Sequence, residues 1–271
     1  MAKDLESCLN MTNTIKFYET LDQEKIPNFG QCKFPIQVEH QEHIPLSIEE
    51  MGGIYNSFPE NSRDRSYLTK IIGKPKTWFR GDKYIENFEL EPTTDLEDSL
   101  FDGMGIIPGY ISNENWPNRD IHLFDLPEDV SEPIRKIITT QALIHEIGHS
   151  LFDQLYHFEE VKLDYNNEEK TGWDLFLEFK ELTENLPAIS NYSLFYRNTD
   201  NGEYSSDTEK HITGIKEEFS ESLAAYKLGF VYSSDEKRQL DPFYDRPEVE
   251  EFIKNFLDAK KLGQDKVWEE E

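Results

Sequence analysis

Apolar side chains recur at helical spacing most clearly at Ile144, Ile147, Leu151 and Leu155, which mark one stripe. Ser131 ahead of Glu132-Pro133 supplies a start for that helix, because proline in the first turn has no hydrogen bond to lose. The pattern predicts a helix running to about Tyr156. A second stripe, Phe219, Leu223 and Tyr226, predicts another helix that Gly229 can close. Ser47 with Glu50 three residues on is a capping-box start for a helix through about Ser57. A further helical piece is expected over Arg65 to Ile72, stopped by Gly73 and Pro75. Strands are expected at Lys76 to Arg80 and at Tyr84 to Leu90. Pro108 to Phe124 reads as strand, turn-rich loop and strand, a hairpin.

Residues 1 to 44 are polar and weakly patterned, and are expected to form an N-terminal extension packed on the domain. A short helix could include Ile15, Phe17 and Tyr18. Residues 45 to 271 then form a single domain of α+β class, with an upper part over 45–157 and a lower part over 158–271. The 271 residues suffice for a sizeable core, and 37% hydrophobic and 13% aromatic content excludes a disordered chain. The net charge of -27 repels nucleic-acid phosphates and anionic lipid, so neither nucleic acid nor membrane is expected as a partner. The same surface keeps the chain dissolved and could steer a basic protein or peptide toward it. Cys8 and Cys32 make no disulfide framework, though a single bridge between them stays open. Without a basic-then-apolar start or an apolar run of spanning length, the expected location is cytoplasmic, with a signal-less route of secretion as the alternative.

The chemistry concentrates in the first stripe's helix. His145-Glu146-Ile147-Gly148-His149 places two histidines four apart, one above the other on a helix face, where both can reach one metal ion. Glu146 is displaced around the helix, far enough to hold a water instead. A catalytic zinc site needs a third protein ligand and an open position. His157 fails on geometry, since it lies about 18 Å of helix rise beyond His145. Phe152 and Leu155 stand where zinc proteases with a third nearby histidine have Gly and His. His122 alternates with Ile121 and Leu123 and should face solvent or the cleft, while His40 and His43 read as a solvated pair. The helix at Glu217-Glu218-Phe219-Ser220-Glu221 offers the carboxylate. Glu217 is favoured over Glu218 because its i+4 neighbour, Glu221, can accept the N–H of a ligand histidine.

A His-Glu-x-x-His motif followed by a separate Glu-x-x-small-Glu helix resembles the gluzincin metallopeptidases. Within them it is most similar to the catalytic domains of anthrax lethal factor and the Pro-Pro endopeptidases. The resemblance covers about residues 45 to 230 and implies a zincin-like fold: a mixed, mostly antiparallel sheet over the active-site helix, with a helical lower subdomain. It implies Zn2+ at His145, His149 and Glu217, with Glu221 behind them and Glu146 as general base. Ser190-Asn191-Tyr192 resembles the family's Ser-x-Tyr, whose tyrosine polarises the scissile carbonyl. In the family that tyrosine lies a few residues before the ligand; here residues 198 to 213 look like an inserted polar loop, and Tyr196, Tyr204 and His211 are alternatives. The expected function is a zinc-dependent endopeptidase, its substrate extended along an edge strand at Asp120 to Phe124. The rival is a non-catalytic acidic protein that keeps zinc as a structural pin and binds a basic partner.

Overall fold

The computed structural model describes residues 11–21, 26–74, 109–112, 119–126, 130–156, 161–197 and 208–262. It opens with helix α1 (Met11–Thr20), strand β1 (Gln37–Glu39), and helices α2 (Ile48–Asn56) and α3 (Glu60–Arg65). Strands β2 (Leu68–Lys74), β3 (Gly109–Ser112) and β4 (Arg119–Phe124) lead into the long helix α4 (Glu132–Tyr156). A hairpin of β5 (Lys162–Tyr165) and β6 (Glu168–Thr171) precedes helices α5 (Gly172–Thr183), α6 (Asn191–Arg197) and α7 (Thr208–Leu228). Helices α8 (Glu236–Leu240) and α9 (Pro247–Asp258) and strand β7 (Lys260–Leu262) follow.

The result is a mixed α+β structure with two small sheets. In the first, the order is β1-β2-β4-β3, with β1–β2 and β2–β4 parallel and β3–β4 antiparallel. Among the described residues two of this sheet's three pairings are parallel, where a mostly antiparallel sheet over the long helix was expected. The hairpin was the one pairing visible locally, whereas parallel pairs join segments far apart in the chain. All six residues of β4 are buried, as befits a strand between two others. β4 is therefore not the edge strand expected at Asp120 to Phe124; among the described residues that edge belongs to β3. The second sheet is antiparallel, ordered β6-β5-β7. Its hairpin turns through Asn166 and Asn167, both left-handed at φ 56 and 65, the geometry a two-residue turn requires.

The helix expected over Arg65 to Ile72 is instead strand β2, and the helix ends at Arg65. Ile71 and Ile72 are β-branched and gain ladder partners on both sides, which outweighs a weak helical spacing. Strands expected at Lys76 to Arg80 and Tyr84 to Leu90, Cys8, and the loop 113–118 lie outside the described residues. The expectations for α2, α4 and α7 hold. Ser47 Oγ accepts the Glu50 N–H at 3.1 Å and the Glu50 carboxylate accepts the Ser47 N–H at 2.7 Å. α4 begins at Glu132, and Gly229 ends α7 at φ 75 with its N–H on the Ala225 carbonyl.

α4 packs against β3 and β4 on one side and crosses α7 on the other. Phe152 of α4 meets Phe176 of α5 and Phe219 of α7, and Phe219 meets Phe179 and Phe256, so four helices share one aromatic core. Arg119 pairs with Asp153 in a buried contact, and Lys216 reaches the same carboxylate at 3.3 Å, tying β4 and α7 to α4. Within the stretch expected as an extension, β1 joins the sheet. Phe17 and Tyr18 of α1 are buried against Phe230. No helix among the described residues is long and apolar enough to cross a membrane.

Candidate metal centre

Where α4 crosses α7, the two helices approach unusually closely. A Cβ at Gly148 would lie 2.9 Å from the Ser220 Cα, so only glycine fits the crossing without a shift. This contact sets the His145–His149 face of α4 against the Glu217–Glu221 face of α7.

The buried side chains there converge. His145 Nε2 lies 2.9 Å from His149 Nε2 and 3.1 Å from Glu217 Oε2, and His149 Nε2 lies 3.4 Å from the same oxygen. A tetrahedral ion with bonds of about 2.0–2.1 Å holds its ligand atoms about 3.3 Å apart, so this triangle has the right dimensions for one. His145 Nδ1 meets Glu221 Oε1 at 2.8 Å, and the Ser220 hydroxyl meets His149 Nδ1 at 2.8 Å. Each imidazole is thus oriented by a partner on α7 while its Nε2 faces the common point. Ligand atoms of His145, Glu146 and His149 also lie within 4.8 Å of one another, a buried group that could hold a metal ion. Glu217 approaches both Nε2 atoms more closely than that span requires, which favours it over Glu146 as the third donor.

Electrostatics match the geometry. Burial alone would lower the His145 pKa, but the hydrogen bonds and charges of Glu217 and Glu221 outweigh it and hold the imidazole well above its usual range. Burial would raise Glu217, and the facing His149 and His145 instead hold it far below the ordinary carboxylate range. Burial raises Glu146, with the two histidines only partly opposing it.

Glu218, the rival ligand, points away. Its fully buried carboxylate accepts from Arg246 at 2.8 Å and from the Ile189 N–H at 3.1 Å, and pairs with Arg197 at 3.0 Å. Burial raises its pKa, and the two guanidinium groups overcome that and hold it low. Tyr192, at the start of α6, presents its ring edge-on to His145, with centroids 5.5 Å apart. Tyr204 and His157 lie outside the described residues, as do the side chains of Tyr196 and His211. His122, expected to face solvent or the cleft, is buried, and burial followed by the charge of Lys74 pushes it down to about 4. His40 and His43 face Glu42, and His43 also faces Asp125, at 3.6–3.9 Å, without forming a three-donor group among the described residues.

Sequence reasoning missed Ser220 as the partner of His149. Its signal was the small residue between the two glutamates, which the crossing also demands. No family model, curated protein sequence or solved structure matches the chain.

Proposed function

We propose that the chain is a zinc-dependent endopeptidase of zincin-like architecture, with the ion held by His145, His149 and Glu217. The observation carrying this reading is the convergence of those three donors from two helices, with Glu146 beside them. A site meant only to pin the fold would close with a fourth ligand; Cys or His commonly fills that role. Glu146 adjoins the triangle without being needed to complete it.

Zinc in such a site supplies a Lewis acid that polarises a peptide carbonyl and brings the pKa of water to about 7. The rest is the work of the side chains. Glu146, which burial holds above the ordinary carboxylate range, takes the proton of the attacking water and returns it to the leaving nitrogen. Glu221 and Ser220 keep the two imidazoles turned so that each Nε2 is free to donate. Tyr192 stands at the edge of His145, where its hydroxyl can serve the developing oxyanion; loss of one such donor typically costs about 3 kcal/mol. The charge of -27 favours a basic protein or peptide as substrate.

Glu146→Gln tests the assignment. The variant is expected to retain its zinc, measured by elemental analysis, and to lose cleavage of a proteome-derived peptide library. Undiminished cleavage overturns the mechanism. A stoichiometric basic partner recovered uncleaved by the wild-type chain would favour the pinned, non-catalytic protein.

A further inference from the structure

Immediately before Tyr192 the backbone is gripped by a buried set of charges that takes no part in holding the ion. Arg197 Nη1 donates to the Leu186 carbonyl at 2.6 Å, Arg246 Nη2 donates to that of Pro187, and Arg238 Nη1 donates to that of Ala188 at 3.3 Å. The next N–H, that of Ile189, goes to Glu218. Four consecutive residues thus have a backbone group bound by a buried ionic side chain. Glu218 gathers two of the three arginines, and its exposure, like that of Arg197 and Arg246, is 0%. Arg238 is matched separately by Asp245 at 2.6 Å.

What this grip holds is informative. Downstream of Ile189, the Ser193 N–H bonds the Ser190 hydroxyl at 2.9 Å, and Asn191 exchanges bonds with the 232–234 segment. Tyr192 is presented from that frame. Glu218 is also the immediate neighbour of Glu217 on α7. A single carboxylate therefore bonds the segment that leads into α6, where Tyr192 sits, and stands beside Glu217 on α7. Burying two guanidinium groups around one carboxylate is expensive and a poor source of net stability compared with apolar packing. Fixing a geometry is a better-attested use for such a group.

We propose that Glu218, with Arg197 and Arg246, is a positioning cluster that sets Tyr192 against the face formed by His145 and Glu217. The proposal rests on the endopeptidase reading and on Tyr192 acting in it. The Glu218 carboxylate is taken up by Arg197, Arg246 and the Ile189 N–H, away from the two histidines, so its effect passes through Tyr192.

The test is a double-variant cycle on the zinc-loaded full chain. Tyr192→Phe should lower kcat about a hundredfold, the order seen when one oxyanion donor is removed. Glu218→Gln should lower kcat at least about tenfold, with zinc content and KM within about twofold of wild type. The combined variant should lose no more than Tyr192→Phe alone, because the cluster's contribution needs the hydroxyl it positions. Arg197→Lys, which keeps the charge beside Glu218 but gives up the guanidinium that spans Glu218 and the Leu186 carbonyl, carries the same expectation in a milder substitution. Losses that multiply in the combined variant, or unchanged kcat in a folded Glu218→Gln or Arg197→Lys protein, overturn the proposal, as does full activity in Tyr192→Phe. None of those results bears on Glu146→Gln, whose retained cleavage would bring down the endopeptidase reading itself.

Discussion

Removing the carboxylate behind His145 should weaken zinc binding by a calculable amount. Glu221 is 4% exposed and its Oε1 lies 2.8 Å from His145 Nδ1, so solvent does little to dilute the contact. A hydrogen bond to a charged group contributes about 1.5–3 kcal/mol. Loss of an orienting partner of a ligand histidine typically costs 10–100-fold in metal affinity, or about 1.4–2.7 kcal/mol. The two routes agree. Glu221→Ala is therefore expected to raise the zinc dissociation constant by one to two orders of magnitude. Glu221→Gln should do less, since its amide oxygen can still accept the Nδ1–H and only the charge is gone. Competition against a chromogenic chelator, on protein first shown to be folded by circular dichroism, measures both. If Glu221→Ala holds zinc within twofold of wild type, the orienting role is wrong, and with it the argument that chose Glu217 by its spacing from Glu221.

Two further outcomes follow from the same site. Gly148→Ala forces a methyl to within 2.9 Å of the Ser220 Cα and 3.2 Å of Leu223 Cδ2, and overpacking of this kind costs about 1–3 kcal/mol; thermal melting should fall by several degrees and zinc affinity with it, and a variant unchanged in both removes the close-crossing account. The His145 pKa lies above the unfolded value near 6.5, so its proton stabilises the metal-free fold fully below that pH, and the contribution fades as pH rises through the folded value. Zinc must displace that proton, so affinity should climb with pH across the same window; calorimetry at pH 7 in buffers of differing ionisation enthalpy should report a released proton, and release of none would refute it.

How much of this could be read beforehand depended on how local each interaction is. The capping box of Ser47 and Glu50, the long helix after Ser131 and the two histidines of α4 are each written within a few residues, and all three appear where expected. The hairpin ending at Phe124 was visible for the same reason. β2 was not, because its partners β1 and β4 lie outside the window in which its own spacing can be judged. Glu217 and Glu218 sit side by side on one helix, and nothing local except Glu221 separates them. The deciding facts for Glu218 are Arg197 and Arg246, each more than 20 residues away in the chain. Tyr18, whose hydroxyl meets Gln141 one turn before His145, was legible as part of a short helix but not as a neighbour of the site.

His145 and Glu217 are separated by 72 residues, so the three donors of the proposed site meet only at the cost of closing a long loop, which the packing of α4 on α7 has already met in the native state. Anything that binds the native state alone deepens it by mass action, by about 4 kcal/mol at a thousandfold excess over the dissociation constant. On the proposed reading, a chain starved of zinc would have a smaller folded population and would spend longer in forms that proteases can cut. The supply of one trace element would then govern the lifetime of the protein as well as its chemistry.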